Sequence, residues 1–296
     1  MTIVYVDLAN GDDSGGDGSA GSPYKTIAKA DDGLTGGDEI RVAKTTRTTL
    51  AGTLSFTEGS TSVTTTNDQT SVVSAGDVIG KDDGTDEGWW QVASVSSSAI
   101  TLSCTYYGAT ESSITGYKMT SEGDLPQSEA TDGSSTSSYL KISGGWNLGN
   151  TTREGLTYFH ATSITEPLDV RGDYVEIEYF VLRNDYSGGY AALLYGDYIY
   201  MHHCHGVGGT TGGKYSLGNW SKMEYCTHTG PNDDNGFDFN SFMPELNYCY
   251  AYGAGDNGFY GYTLTCMARL TNCVAKGSDG SGDAGFYFFT CQGVFL

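Results

Sequence analysis

Proline is scarce, at five in 296 residues, and basic side chains are outnumbered, 15 against 36 acidic ones. A net charge of −21 argues against a nucleic-acid binder, because phosphate contacts need clustered Lys and Arg. No apolar stretch approaches the roughly 20 residues of a membrane span, so membrane insertion is not expected. Long helix-forming runs of Ala, Leu, Glu and Lys are missing as well. The start, MTIVYVDLAN, has neither the basic nor the apolar region of a secretory signal. What is abundant is glycine, 43 residues without a three-residue period, and tyrosine, 22 residues. With 38% hydrophobic residues, this is a globular, all-β composition, not a disordered or collagen-like one.

A period sets the architecture. Cys204, Cys226, Cys249 and Cys273 are separated by 22, 23 and 24 residues, in the contexts YMHHC, KMEYC, ELNYC and RLTNC. Each has an apolar residue three positions earlier: Met201, Met223, Leu246 and Leu270. One period upstream, GDYVEIEYF (172–180) matches GDYIYMHHC (196–204), with Phe180 in the cysteine slot. A second column follows Gly-rich turns at Gly189-Tyr190, Gly213-Lys214, Gly236-Phe237, Gly258-Phe259 and Gly285-Phe286. A unit this short cannot bury its own apolar side and must stack on copies of itself. Leucine-rich repeats share the length, but their LxxLxL pattern is absent. A parallel β-helix fits, with equivalent residues stacked about 4.8 Å apart and Cys and Phe facing inward.

The segment YVDLANGDDSGGDGSAGSPYKTIAKADDGLTGGDEIRVA (5–43) resembles the entry of the right-handed parallel β-helix, pectin-lyase-like family, of the kind found in phage and virus structural proteins. The resemblance covers about 5–43 and 139–296. It implies an N-terminal strand, a capping helix over 23–33 with Ser22 as N-cap and Pro23 at N1, and a first rung, together 1–45. Residues 46–120 break the pattern. Their Thr- and Ser-rich runs predict five or six short strands in an inserted β-barrel or sandwich, with Val92–Val95 and Ile100–Leu102 as a hairpin. This segment resembles modules of phage and environmental virus proteins. Residues 121–138 read as a polar linker, and 139–296 as the rungs.

Candidate chemistry is sparse. Seven cysteines cannot all pair within one chain, and a stacked inward column suits free buried thiols better than disulfides. Strand alternation sends His202 outward and Cys204 inward, so HHCH (202–205) and His228 do not converge on one zinc ion; Glu178, His202 and Glu224 should form an outer ladder. Asp234, Asp256 and Asp283 precede Gly-Phe or its equivalent and should form a turn column. Turn chemistry explains them first, with calcium and, for Asp234, Asp256 and Asp238, carboxylate catalysis as alternatives. Trp89 and Trp90 are the largest side chains of the insertion, expected in its core, with sugar stacking as the alternative. Tyr198, Tyr200, Tyr225, Tyr248, Tyr250 and Tyr252 should line outer strand faces.

The chain ends at TCQGVFL inside a rung, where open core and strand edges invite a cover. The expected function is therefore a virion structural protein of a phage-like particle, assembled in the host cytoplasm and acting by binding: a tail spike, fibre component or capsid decoration. Its expected partners are further copies of itself, a trimer being one stoichiometry, or other virion proteins, with a cell-surface glycan as ligand. The alternatives are a polysaccharide lyase or glycoside hydrolase, and an extracellular adhesin or filament subunit. No cofactor is expected beyond calcium in the acidic turns.

Overall fold

The computed structural model describes every residue except 82–87, 121–126, 130, 163–165, 186–188, 209–213, 231–234, 240, 262–266, 278–283, 289–292 and 296. Three sheets of parallel strands wind around one apolar core. The first sheet contains Ile3–Val6, Glu39–Ala43, Leu140–Asn147, Val175–Glu178, Tyr200–His202, Lys222–Glu224, Glu245–Asn247, Met267–Thr271 and Gly293–Phe295, in that spatial order. A short strand, Thr152–Arg153, pairs antiparallel with the end of Leu140–Asn147. The second sheet contains Gln127–Glu129, Leu168–Val170, Tyr190–Leu194, Lys214–Ser216, Phe237–Phe239, Phe259–Gly261 and Phe286–Phe288. The third contains Thr157–Ala161, Phe180–Asn184, His205–Gly208, Thr227–Thr229, Tyr250–Tyr252 and Val274–Lys276. From Leu168 on, the chain cycles through second, first and third sheet, adding one strand to each per turn. This is the parallel β-helix that the period requires.

Like residues stack because register is kept from rung to rung. Ile177, Met201, Met223, Leu246 and Leu270 pair in sequence and are buried. Phe180, Cys204, Cys226, Cys249 and Cys273 form the neighbouring core column, and none of the five cysteines described is in a disulfide. The aromatic column is Tyr215, Phe237, Phe259 and Phe286, with ring centroids 5.1, 4.9 and 4.9 Å apart. Here the sequence expectation needs correction. A register shift after Tyr190 pairs Ala192 with Tyr215, so Tyr190 and Lys214 stand outside this column.

Two corners frame the first sheet. On the entry side lies a repeated Gly-Asx-aromatic unit: Gly172-Asp173-Tyr174, Gly196-Asp197-Tyr198 and Gly218-Asn219-Trp220. A Cβ on Gly196 would lie 1.9 Å from the Gly172 carbonyl oxygen, so only glycine permits the rung spacing. Asp197 N–H donates to Asp173 Oδ1 (2.7 Å), Asn219 N–H to Asp197 Oδ1 (3.2 Å) and Phe242 N–H to Asn219 Oδ1 (2.8 Å). Tyr174, Tyr198, Trp220 and Met243 follow with left-handed φ of 53–58°. On the exit side, Tyr179, His203, Tyr225, Tyr248 and Asn272 take φ of 51–64°. Each such residue costs roughly 1–2 kcal/mol. Stacking offsets part of that cost: Tyr179–His203, His203–Tyr225 and Tyr225–Tyr248 lie 5.1, 5.3 and 5.1 Å apart.

The inserted segment forms an eight-stranded antiparallel sheet, more strands than its turn signals suggest. The order is Arg47–Thr49, Gly116–Met119, Val78–Lys81, Trp89–Val95, Ala99–Leu102, Ser62–Thr65, Leu54–Phe56 and Glu111–Ile114. The expected hairpin pairs Val95 with Ile100. The insertion occupies the place of a third-sheet strand between neighbouring first-sheet strands Glu39–Ala43 and Leu140–Asn147. It then covers the outer face of the third sheet: Val78, Trp89 and Met119 pack with Tyr158, Val181 and Val207.

The expected helix over 23–33 reduces to one turn, Ile27–Ala30. Its N-cap is Thr26, whose Oγ1 accepts from Lys29 N–H (3.2 Å), and neither Ser22 nor Pro23 caps it. The loop before it is held by Asp13, which accepts from Lys25 and Thr26 N–H, so the chain turns into helix later than Ser22. Ile27 and Ala30 nevertheless belong to the main core.

Candidate functional site

The second sheet's outer face carries a concave site. Asp238 points outward between the inward Phe237 and Phe239, in register with Ser216 on one side and Tyr260 on the other. A cavity of about 290 Å³ lies over this strand pair and reaches the entry corner. Leu193, Leu217 and Tyr195 line its apolar side, and Ser216, Asn219, Asp238 and Ser241 its polar side. Tyr195 is 64% exposed, whereas Asp238 and Ser241 are buried. The Ser241 hydroxyl has no hydrogen-bond partner, and a buried hydroxyl left so costs about 1–3 kcal/mol. A lining that mixes polar side chains with leucine and tyrosine suits a polyhydroxylated ligand. Asp238 is the only carboxylate among the described residues that line the cavity.

The other sequence candidates fall elsewhere. Asp256 is exposed on a turn, and Asp234 and Asp283 lie outside the described residues. The column found in that turn is made by the neighbouring asparagines: Asn257 Nδ2 donates to Asn235 Oδ1 (2.9 Å), and Ala284 N–H donates to Asn257 Oδ1 (3.0 Å). Trp89 is buried at the seam between insertion and coil. Trp90 is buried in the insertion's own core against Phe56 and Tyr106, so neither tryptophan offers a ring face to solvent.

A second polar cluster lies on the first sheet. Glu178, His202 and Glu224 are in register, as strand alternation requires. His202 Nε2 meets Glu176 Oε1 at 3.0 Å and Glu178 Oε2 at 3.6 Å. Lys141 Nζ lies 3.1 Å from Glu176 and 3.0 Å from Glu178, and Arg153 also pairs with Glu178. The ligating atoms of Glu176, Glu178 and His202 lie within 4.8 Å of one another, close enough for a metal ion. The protein's own Lys141 and Arg153 already balance those two carboxylates. The hydrogen bond to His202, reinforced by Lys141, holds Glu176 below the usual carboxylate range. Cys204 faces the core and His205 lies on the third sheet, so HHCH is split among three environments. Burial pushes His205 down to about 3.

Of the residues that line this cavity, the sequence singles out Asp238, as one of three alternatives for carboxylate catalysis, and not Ser241, Asn219 or Tyr195. Asn219 had a signal in its Gly-Asx-aromatic unit. Ser241 had none, because only the fold reveals that its hydroxyl is buried without a partner.

No protein-family model matches the sequence, and no curated protein matches it. Among solved structures, pectate lyase Pel9A superposes with a TM-score of 0.52 at 12% identity, over 99% of this chain and 67% of that one. A rhamnogalacturonan lyase aligns with a TM-score of 0.43 at 14% identity, covering 100% of this chain and 63% of that one. The tailspike protein gp49 of Pseudomonas phage LKA1 aligns with a TM-score of 0.32 at 12% identity, covering 81% and 51%. The chain thus spans about half to two thirds of their lengths. The fold is that of the right-handed parallel β-helices, as in pectate lyase. Among the described residues, no helix is long and apolar enough to cross a membrane.

Proposed function

We propose that this chain is a glycan-binding β-helix of a phage-like particle, a tail spike or fibre component or a capsid decoration, acting by binding. The observation that carries the glycan assignment is the second-sheet cavity of about 290 Å³, lined by Tyr195, Asn219, Asp238 and Ser241, whose buried hydroxyl has no partner. The excess of acidic side chains disfavours an acidic polymer, so a neutral glycan is the ligand class. Placement on a phage-like particle is supported by the resemblance of the inserted segment and by the five described cysteines, none of them in a disulfide, which suit assembly in a reducing cytoplasm. A polysaccharide-cleaving enzyme is the second reading, favoured by the fold shared with a pectate lyase. Glycoside hydrolysis uses two carboxyl groups roughly 5–9.5 Å apart, and Asp238 has no such companion among the described lining residues.

Titration calorimetry against a panel of neutral oligosaccharides tests this. One or more should bind, with affinity reduced about tenfold by Tyr195→Ala or Ser241→Ala, each corresponding to about 1.4 kcal/mol. Release of shortened product from any polysaccharide, abolished by Asp238→Asn, would replace binding by catalysis.

A further inference from the structure

The strands of the first sheet carry five basic residues, Arg41, Lys141, Arg153, Lys222 and Arg269, and five acidic ones, Glu39, Glu176, Glu178, Glu224 and Glu245. This face is neutral, so the whole charge of −21 resides on the remaining ten basic and 31 acidic side chains. The same face concentrates exposed apolar groups. Of the eight large hydrophobic side chains that stand exposed among the described residues, four, Trp220, Tyr225, Met243 and Tyr248, flank its two strands Lys222–Glu224 and Glu245–Asn247. All four also hold left-handed backbone, where glycine would cost nothing. Bulky apolar residues kept at strained, solvent-facing positions point to something that covers them.

We infer that this face binds a second copy of the chain, with the two coils antiparallel about a two-fold axis lying along the strand direction. Most of the surface repels a copy, and this neutral strip does not. Its charge order also fits itself. Lys222, Glu245 and Arg269 stand in one register column, so charge alternates from rung to rung. With the axis midway between the first two rungs, Lys222 lies opposite the partner's Glu245, and Glu245 opposite the partner's Lys222. The same operation sets Trp220 against the partner's Met243 and Tyr225 against the partner's Tyr248. About that axis six strands, Val175–Glu178 to Gly293–Phe295, face their counterparts; they span about 24 Å, and strand plus corners about 16 Å, giving roughly 400 Å² in projection. That lies at the small end of specific interfaces, below the roughly 800 Å² of accessible surface per partner of a standard one, so the facing charges and the exposed aromatic groups carry the specificity. The second-sheet cavity meets this face only at the entry corner, where Asn219 precedes Trp220, so the inference does not depend on a glycan binding there.

Sedimentation equilibrium of the full chain in physiological salt should give twice 31.5 kDa. Trp220→Gly and Tyr225→Gly relieve the backbone at left-handed positions, so each should stay folded by circular dichroism while the mass halves. Lys222→Glu and Glu245→Lys should each give a monomer, because every copy then opposes like charge. An equimolar mixture of these two variants should recover the dimer, since one then carries acidic and the other basic side chains at both facing positions. A monomeric wild type, a three-chain mass, or a mixture that stays monomeric would each overturn the inference.

Discussion

Removing the Phe237 ring tests whether the stacked core column behaves as a continuous structure. Phe237 is fully buried, 5.1 Å from Tyr215 and 4.9 Å from Phe259 between ring centroids. Phe237→Ala forfeits transfer free energy and leaves a cavity, together about 3–5 kcal/mol. The two lost stacking contacts, each about 0.5–1.5 kcal/mol, place the loss toward the upper end. Phe286 is half-buried and stacks at 4.9 Å on Phe259 alone among the described rings. Phe286→Ala should therefore cost about half as much, roughly 2 kcal/mol. Guanidinium unfolding followed by far-ultraviolet circular dichroism measures both. Equal losses, or a Phe237→Ala loss below about 1.5 kcal/mol, would show that the rungs collapse independently and refute the continuous column.

Other consequences follow from buried groups. His205 is neutral in the fold and ordinary when unfolded, so its contribution is present above about pH 6.5 and is lost as pH falls toward 3; stability should drop with a slope approaching about 1.4 kcal/mol per pH unit, and His205→Gln should flatten it above pH 5. The thiols of Cys226, Cys249 and Cys273 are all pushed up, the last by its hydrogen bond with Cys249 and by burial, so access decides the order: residue-resolved alkylation should leave buried Cys226 and Cys249 unlabelled until global unfolding, while half-buried Cys273 reacts sooner. Trp89→Ala should loosen the seam between insertion and coil by about 3–5 kcal/mol, seen as earlier proteolysis within 46–120, and leave glycan affinity unchanged.

The cysteine spacing made the coil legible because a parallel stack must repeat the same inward position at each turn. Glu178, His202 and Glu224 followed from alternation alone. The aromatic column was displaced at Lys214 because a one-residue register shift leaves no trace in composition. The capping helix was overextended because Ser22-Pro23 is a sound start signal, yet Asp13 captures the following amides and delays the helix to Thr26. The turn aspartates drew attention that belonged to Asn235 and Asn257, the adjacent residues whose amides bridge rungs. Ser241 was invisible, since an unpartnered hydroxyl is a property of surroundings.

The inserted segment leaves the coil after Ala43 and the chain rejoins it at Gln127–Glu129, so its exchange for another domain would leave the pairing of the flanking strands Glu39–Ala43 and Leu140–Asn147 in place. The third sheet, however, has built its outer face from Tyr158, Val181 and Val207, which Val78, Trp89 and Met119 of the insertion cover, with Tyr117 packed beside them. A replacement lacking a matching apolar underside would strip that face and make it adhesive. Insertion and coil are therefore coupled at their seam, and a change of shape on one side of it requires a matching change on the other.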